Sequence, residues 1–510
     1  MSSFAAGSAG DGADRAVDAA ADGGALLHEA AQRCLRRLRD ERIELVRVVW
    51  ADVHGTLRGK ALTPAAAAKA LDHGVSLVST LLLKDSADRT AFKVFDADFA
   101  ASRPDLAFAA NVMLLPDPSS LVVLPWAPHQ AWLRADVRHA DGSASPLDPR
   151  RALRRAVERL AARGWSMRCG LEVEFHVYRL ARRDPDPSLD PSQADWPGPA
   201  PALELVHPGY QLLADAAFDR ADEPMAIVRR TVEGLGLPLS SIEIELGPSQ
   251  FELVFDAMDA LAAADAMVML RNGVRQALRR AGYLATFMCR PPFANIMSSG
   301  WHLHHSLVET ASGRNLFAGS ADDRGCDPGD ARGVLSDAGA HWLAGLLDHA
   351  PGMSALCVPH VDGFERFRPN AMAPQAIVWG RDNRGAMLRV VGAPGDAAAR
   401  IENRLATPAA NPYLALASQV AAGLDGIDRR LPPPRATASP YAAASGSGVP
   451  MLPGTLGEAL DHLQRDMVLA DVLGAPMLEV YLGVKRHELQ RHALATDPVE
   501  WQRREYLARL

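Results

Sequence analysis

The chain has 510 residues, of which 48% are hydrophobic and 23% are charged, and it carries a net charge of −7. This balance is typical of globular proteins, and the length exceeds the roughly 250–300 residues at which one hydrophobic core stops growing, so two or more domains are expected. The mild acidity argues against proteins that bind nucleic acids or anionic membranes, because such proteins carry a basic excess. No apolar run approaches the ~20 residues that a membrane-spanning helix needs.

The five cysteines are scattered along the chain and include no Cys-x-x-Cys pair. They are Cys34, Cys169, Cys289, Cys326 and Cys357. This pattern excludes a disulfide framework and a cysteine-based zinc site, and it predicts a reducing compartment, the cytoplasm.

The N-terminal part contains a low-complexity segment followed by a small mixed unit. Residues 1–24 are mainly Ala, Gly, Ser and Asp, which cannot bury a core, so a disordered tail is predicted. A helix is expected from Ala25 to Leu38. Strands rich in β-branched and aromatic residues are then predicted at 45–50, 56–60, 111–115 and 121–124. The first domain is therefore expected to span 40–138, and the composition of 139–146 predicts a linker.

A helix signal opens the second unit. Asp148 can cap the helix, Pro149 suits its first turn and Gly164 can end it. Two further segments, 182–200 and 431–450, are predicted to be surface loops because they are rich in Pro, Asp, Ser and Ala.

Charged residues occupy one face of a predicted strand at 171–178. Strict alternation places Glu172, Glu174, His176 and Tyr178 on one face and apolar residues on the other. Two carboxylates at positions i and i+2 repel each other unless they are solvated or bound to a cation. Taken alone, this segment fits a solvent-facing strand equally well.

Five further predicted strands, at 242–246, 250–255, 301–307, 386–391 and 400–405, carry or adjoin similar polar residues. Their charged and polar residues are Glu243, Glu245 and Glu252; His302, His304 and Ser306; Arg384 and Arg389; and Arg400, Glu402 and Arg404. Glutamate and histidine suit Mg²⁺ or Mn²⁺, and several arginines suit phosphate and carboxylate groups. Together they predict a site for phosphoryl transfer. The chain has no P-loop and no kinase-type glycine-rich loop, so another scaffold would have to hold ATP.

The order of these motifs resembles the glutamine synthetase family. The motifs are E-x-E at 172–174, E-x-G-P-S-Q-x-E at 245–252, S-G-W-H-x-H-x-S at 299–306, R-F-x-P at 366–369, N-R-x-x-x-x-R at 383–389, R-x-E-x-R at 400–404 and P-A-A-N-P-Y-L at 408–414. The resemblance extends from about Glu44 to the C-terminus. It implies an α+β fold, with an N-terminal β-grasp domain at 40–138 and a catalytic domain at 147–510 built on a split antiparallel β-barrel. It also implies a homo-oligomer with active sites between subunits.

The resemblance implies a role for each matching residue. Glu174, Glu245 and Glu252 would hold one divalent metal ion, and Glu172, His302 and Glu402 a second, of two to three Mg²⁺ or Mn²⁺ ions. ATP would contact His304, Ser306, Arg389 and Arg400. Arg384, Arg389 and Arg366 would assist catalysis, and Arg366, Arg404, Ser298 and Gly300 would bind the amino-acid substrate. The implied reaction is ATP-dependent ligation through an acyl phosphate.

The chain departs from ammonia-using members of this family at two places. The flap glutamate that binds ammonium, six residues after Arg366, is Met372 here, and the stretch 74–79 lacks the expected aspartate. The loss of both anions favours the branch of γ-glutamylpolyamine and γ-glutamylamide synthetases, which join glutamate to an organic amine. Two alternatives remain: a glutamine synthetase that uses ammonia, and a non-catalytic relative, although all six metal ligands are present. Met297-Ser298 replaces the usual Asn-Gly, whose residues help to hold glutamate, so the identity of the acid substrate stays open.

Several neighbouring residues are predicted to lie outside the site. His305 points away from the face of His302 and is predicted to be structural. His176 and Tyr178 are expected to lie beyond the metals. Contact with the metals is expected less for Glu243 than for Glu245. Tyr441 has no firm match in the family. Asn411 is predicted to cap a helix behind the strand of Glu402.

Overall fold

The computed structural model describes residues 26, 28–181, 190–320, 327, 329–368, 371–445 and 448–510. The predicted tail at 1–24, Cys326 and the first part of the 182–200 loop lie outside these ranges. Within them, no single helix is long and apolar enough to span a bilayer. Only a pair of C-terminal helices, Met467–Leu473 and Ala475–Ala493, would qualify by length and composition when taken together, and they are bent by 103°.

The first sheet has six strands. They are β1 Leu45–Ala51, β2 Leu57–Leu62, β3 Val75–Val78, β4 Asn111–Pro116, β5 Val122–Val123 and β6 Gln130–Arg138. The order is β2-β1-β6-β4-β3, with β5 on β6 and a parallel β1–β6 pair at the centre. Val46 and Val48 of β1 are fully buried, as alternation predicts. The helices of this part are α1 at 28–40, α2 Pro64–His73 and α3 Ala97–Ser102.

The segment after the first sheet is tied down by hydrogen bonds. The backbone N–H of Ser145 donates to the carbonyl of Val137 at 2.9 Å, and Asp148 accepts from the N–H of Val137 at 3.2 Å. Asp148 also caps helix α4, Pro149–Ala161, as predicted. The predicted linker at 139–146 is therefore a tight turn, because buried Ser145 and Asp148 hold its end against β6.

The second sheet has ten strands and is nearly closed, like a barrel. They are β7 Trp165–Leu180, β8 Leu203–Leu205, β9 Leu239–Ile244, β10 Gln250–Phe255, β11 Met258–Asp259, β12 Tyr283–Thr286, β13 Trp301–Glu309, β14 Trp379–Arg381, β15 Leu388–Val391 and β16 Arg400–Asn403. The main order is β14-β15-β16-β13-β7-β10-β9. The long strand β7 lies between β13 and β10, so its polar face meets those of both neighbours.

Helices cover the outside of this sheet. They are α5 Asp215–Arg220, α6 Asp222–Gly234, α7 Ala260–Arg280, α8 Asp337–Asp348, α9 Ala350–Cys357, α10 Val361–Phe364, α11 Pro412–Arg429, α12 Pro440–Ala444, α13 Leu456–Arg465, α14 Met467–Leu473, α15 Ala475–Ala493 and α16 Pro498–Tyr506. Asn411 caps α11, and Asn403 on β16 donates to Gln419 at 2.8 Å, so α11 lies behind the strand of Glu402 as predicted. The loop predicted at 431–450 contains α12, which sequence composition did not indicate.

Candidate active site

Three carboxylates from two adjacent strands and a turn meet on the polar face of the second sheet. Glu174 on β7 lies directly opposite Glu252 on β10, and Glu245 follows the end of β9. One oxygen of each of Glu174, Glu245 and Glu252 lies within 4.8 Å of the others. We call this group the first triad. It unites the three residues that the resemblance assigned to one metal ion.

A second triad lies beside the first. Glu172 on β7 is opposite His302 on β13, and Glu402 comes from the next strand, β16. His302 Nδ1 lies 3.2 Å from Glu172 and 3.9 Å from Glu402, and the ligand atoms of all three residues lie within 4.8 Å of one another. His302 Nε2 lies 3.7 Å from Glu174, so the two triads contact each other.

Five carboxylates at this density affect one another's protonation. Burial, together with Glu172 and Glu174, raises the pKa of Glu252 to about 12, and burial with Glu245 raises the pKa of Glu174 to about 8. Burial opposes ionisation of Glu172, but hydrogen bonds with His302 and His304 outweigh it and hold the pKa of Glu172 well below its usual range. Burial and nearby Arg404 lower the pKa of His302 to about 4, which leaves a neutral imidazole, the form that binds metals.

The donor set fits divalent cations. The first triad offers only carboxylate oxygens and the second offers two carboxylates and a neutral imidazole, which are ligands that Mg²⁺ and Mn²⁺ accept. A cation at each triad would also relieve the carboxylate repulsion that raises the pKa values of Glu174 and Glu252.

Arginines hold the innermost carboxylate from two sides. Glu402 is fully buried, and it accepts from Arg389 Nη1 at 2.9 Å and from Arg404 Nη1. Burial opposes ionisation of Glu402, but Arg404 outweighs it and lowers the pKa of that carboxyl. Asp382, which is exposed, accepts from Arg389 Nε at 2.9 Å and orients its guanidinium.

Arg366 is held beneath the triads by backbone carbonyls. Its Nη1 donates to the carbonyl oxygens of Arg404, Leu405 and Ala406 at 3.1, 3.4 and 3.2 Å, and its Nη2 lies 3.4 Å from His302 Nε2. Gly300 makes room for this contact, because a Cβ there would lie 2.5 Å from Arg366 Nη2. The N–H of Gly300 also donates to Glu174 at 2.8 Å.

The residues expected around ATP lie at the outer side of the second triad. His304 Nε2 is 2.8 Å from Glu172, and Arg400 Nε donates to His304 Nδ1 at 3.1 Å. Ser306 continues the same face of β13, two positions further on. Arg384 is exposed on the turn between β14 and β15 and has no ion pair among the described residues.

Two supporting residues, Gln250 and Ser299, were missed from the sequence, and they contact His176, which was expected to lie beyond the metals. Gln250 Nε2 donates to Glu174 at 3.3 Å, to the carbonyl of Ser298 at 3.2 Å and to Ser299 Oγ at 3.1 Å, and Ser299 Oγ lies 3.2 Å from His176 Nδ1. Gln250, Ser299 and His176 therefore position the first triad from below. The signal was available for Gln250, because it lies two residues before Glu252 and so shares its face.

Met372, which the resemblance places at the flap position, is exposed and lies in a left-handed backbone conformation. Its side chain is 56% exposed, its φ is 51°, and its carbonyl accepts from Arg404 Nη2 at 3.2 Å. Tyr441 on α12 lies beside the backbone of Met372 and Ala373. The backbone of Met372 thus contacts Arg404, and the residue carries no carboxylate.

The remaining polar residues behave as supporting groups. His305 is buried and accepts from Trp342 Nε1 at 3.0 Å, as a structural residue should. His176 stacks on Tyr178 with ring centroids 6.0 Å apart. Glu243 lies opposite Glu252 in the ladder, and its carboxylate accepts from Ser241 Oγ at 2.7 Å.

A third acidic cluster lies elsewhere, at the junction of α8 and α9. The nitrogens of His349 lie 2.7 Å from Asp466 and 2.9 Å from Asp425, and Arg429 Nη1 pairs with Asp425 and Asp348. Both ring nitrogens already have carboxylate partners, and Arg429 pairs with two of the acids, so this cluster is a helix-junction network and not a metal site.

Comparison with known proteins identifies the family. Residues 146–504 match the glutamine synthetase catalytic domain. The chain is 37% identical to a γ-glutamylanilide synthase of Acinetobacter sp, over 94% of this chain and 95% of that protein, and 31% identical to the γ-glutamylethanolamide synthetase GlnA4 of Streptomyces coelicolor, over 92% and 93%. The solved structure of a GmaS/ADP complex superposes with a TM-score of 0.73 at 29% identity, covering 92% of this chain and 98% of the other. The chain belongs to the glutamine synthetase family.

Proposed function

We propose that the protein is an ATP-dependent ligase that joins the γ-carboxylate of glutamate to a primary organic amine. The observation that carries this proposal is Met372, whose backbone carbonyl binds Arg404, in a chain with two complete carboxylate-rich triads. The triads and arginines supply what phosphoryl transfer needs, and the apolar flap determines which amine can follow.

The first half-reaction activates the acid. The γ-carboxylate oxygen of glutamate attacks the γ-phosphorus of ATP, ADP leaves with the bridging oxygen, and a γ-glutamyl phosphate results. Two or three Mg²⁺ or Mn²⁺ ions, held by the two triads, would offset the charge of the phosphates. Arg389 and Arg400 would bind ATP oxygens, and Arg384 on its exposed turn would contact the phosphates when ATP enters. Arg366 and Arg404, with Ser298 and Gly300, bind the glutamate.

The second half-reaction forms the amide. The amine nitrogen attacks the acyl carbon, inorganic phosphate leaves, and the nitrogen loses one proton. The balance is glutamate, amine and ATP giving γ-glutamyl amide, ADP and phosphate. The chain has to hold the amine beside the acyl carbon, which is a matter of position.

The chemistry of the flap favours a neutral amine. Ammonia, alkylamines and polyamines are cations near pH 7, so they need an anion to bind them and a base to deprotonate them. An arylamine such as aniline is already neutral and needs neither before it attacks. Met372 offers a polarizable apolar surface that suits an aromatic ring. The 37% identity to a γ-glutamylanilide synthase supports the same choice.

We also propose that the enzyme is a cytoplasmic homo-oligomer. The four described cysteines are free and buried, as in a reducing compartment. Val78, on the stretch that lacks the expected aspartate, is 39% exposed on β3, and a second copy could bring it over the flap.

The test is phosphate release from Mg-ATP and L-glutamate with ammonia, methylamine, ethanolamine, putrescine or aniline, with the amide identified by mass spectrometry. We expect aniline or another organic amine to give the highest kcat/KM. Ammonia as the best substrate would refute the proposal in favour of a glutamine synthetase. No turnover with any amine would indicate a non-catalytic relative. Amide formation with another carboxylic acid in place of L-glutamate, and none with L-glutamate, would show that another acid is used.

A further inference from the structure

A cavity of about 680 Å³ lies away from the two triads, between the C-terminal half of α7, the start of β2, the segment 198–201 and the C-terminal residues. None of the triad residues lines it. Six arginines line it and no aspartate or glutamate does. They are Arg275, Arg279, Arg280, Arg503, Arg504 and Arg509. We call it the arginine cavity.

Two of these arginines are partly neutralised. Arg503 and Arg504 share Glu500, at 3.4 and 3.0 Å, and Arg504 also reaches Asp195 at 3.4 Å. The other four, Arg275, Arg279, Arg280 and Arg509, form no ion pair with any carboxylate of the described residues. Carbonyls orient two of them: Arg275 donates to Ala508 at 2.7 Å and Arg280 donates to Trp126 at 3.1 Å.

The acids nearest to the cavity already have partners. Glu505 and Asp85 both pair with Arg491, and Asp88 pairs with Arg58. The terminal residue Leu510 accepts from the N–H of Phe287 at 3.1 Å.

A further arginine adds positive charge at the back of the cavity. Arg47 donates to Gln276 at 2.8 Å, and Gln276 itself lines the cavity. Burial, with the charge of Arg509, lowers the pKa of Arg275 to about 10. Glu505, Asp85 and Asp88 offset part of this repulsion at Arg509, but none of them forms an ion pair with the four arginines.

An arrangement of this kind is suited to an anion. Guanidinium groups bind phosphate and carboxylate through paired hydrogen bonds, and the volume falls within the roughly 300–1,000 Å³ of small-molecule sites. Leu57, Leu284 and the Pro-Ala-Pro segment at 199–201 supply an apolar wall for the rest of such a molecule.

We infer that the arginine cavity binds a small anion that carries two or more phosphate groups, at a site separate from the active site. A phosphate monoester carries about −1.5 to −2 charges and three acceptor oxygens, so about two such groups match four unpaired guanidinium groups. The inference does not rest on the proposed function.

The bound anion would connect segments that are distant in sequence. Asn272 in the cavity wall accepts from the N–H of Leu57 at 3.1 Å and donates to the carbonyl of Gly55 at 3.3 Å, so α7 already contacts the first sheet there. A ligand between Arg279 of α7 and Arg509 would strengthen the contact between α7 and the C-terminal segment, which Arg275 already makes through the carbonyl of Ala508. Binding should therefore raise the melting temperature of the full chain.

The test is isothermal titration calorimetry of the full-length protein with pyrophosphate, in buffer with EDTA so that no metal retains the anion in the active site. The double variant Arg279→Gln/Arg509→Gln removes two unpaired charges of the cavity, and Arg400→Gln is the matched control in the active site. We expect saturable binding that weakens about tenfold or more in the double variant and changes less than about twofold in the control. The double variant should keep its melting temperature in the absence of anion and its basal activity.

Several outcomes would overturn the inference. One is an absence of saturable binding, and another is a loss of binding in Arg400→Gln but not in the double variant. A third is citrate binding as tightly as pyrophosphate, because the recognised group would then be a carboxylate and not a phosphate. A sugar bisphosphate or ADP that binds more tightly than pyrophosphate through the same arginines would support it and identify the source. Because calorimetry needs no turnover, this result is independent of the amine assay.

Discussion

Replacing Gly300 by alanine should disable the active site while leaving the fold intact. A Cβ at this position would lie 2.5 Å from Arg366 Nη2 and 2.8 Å from His302 Nε2. Carbon and nitrogen atoms pack at about 3.5–4.0 Å, so both side chains have to move by about 1 Å. A misplacement of about 1 Å at reacting groups can cost 10²-fold in rate, or about 2.7 kcal/mol of transition-state stabilisation.

Gly170 on β7 provides the matched control. A Cβ there would lie 3.5 Å from His304 Cβ, which is ordinary van der Waals contact. We expect kcat/KM for the best amine to fall about 100-fold in Gly300→Ala and to change less than about threefold in Gly170→Ala. The assay is phosphate release, with thermal unfolding of both variants. Wild-type activity in a folded Gly300→Ala protein would refute the assignment of Arg366 and His302 to the site.

Three further changes test the flap, the second triad and the helix junction. Met372→Glu should raise the ratio of kcat/KM for ammonia to kcat/KM for the organic amine by about tenfold, since a carboxylate attracts ammonium. Met372→Leu is the control and should leave this ratio unchanged. An unchanged ratio in both variants would contradict the role of Met372. Glu402→Gln should weaken Mn²⁺ binding in calorimetry by about 10–100-fold, with Glu309→Gln on the same sheet as control; equal affinities would remove Glu402 from the ligand set. Burial opposes protonation of His349, but the hydrogen bonds that its ring donates to Asp466 and Asp425 raise its pKa. Its contribution to stability is therefore present below the unfolded pKa of about 6.5 and is lost as pH rises through the folded value. His349→Gln should therefore lower the midpoint of urea unfolding more at about pH 6 than at about pH 9, and a pH-independent difference would contradict this.

Much of the site was predictable because it lies on strands. Alternation of side chains puts Glu172 and Glu174 on one face from the sequence alone. The paired strands then place His302 opposite Glu172 and Glu252 opposite Glu174. The helix after Asn411 was equally clear because its cap and first-turn proline are local signals. In both cases, short-range rules agree with the tertiary structure.

The remaining features depend on contacts that no local rule contains. Asp382 orients Arg389 across a turn, and α12 brings Tyr441 to the flap from a segment whose composition indicated only a loop. The arginine cavity joins β2, α7 and the last residues of the chain, and its members are far apart in sequence. The sequence around Arg279 and Arg280 gave no sign that their charges would form no ion pair.

The most direct test of the central claim is competition between amines in one reaction. Wild-type protein would receive Mg-ATP, L-glutamate and equal concentrations of ammonia and aniline, and the products would be counted by mass spectrometry. Because Met372 offers no anion to ammonium, the γ-glutamyl arylamide should exceed glutamine. Glutamine as the major product would contradict the account.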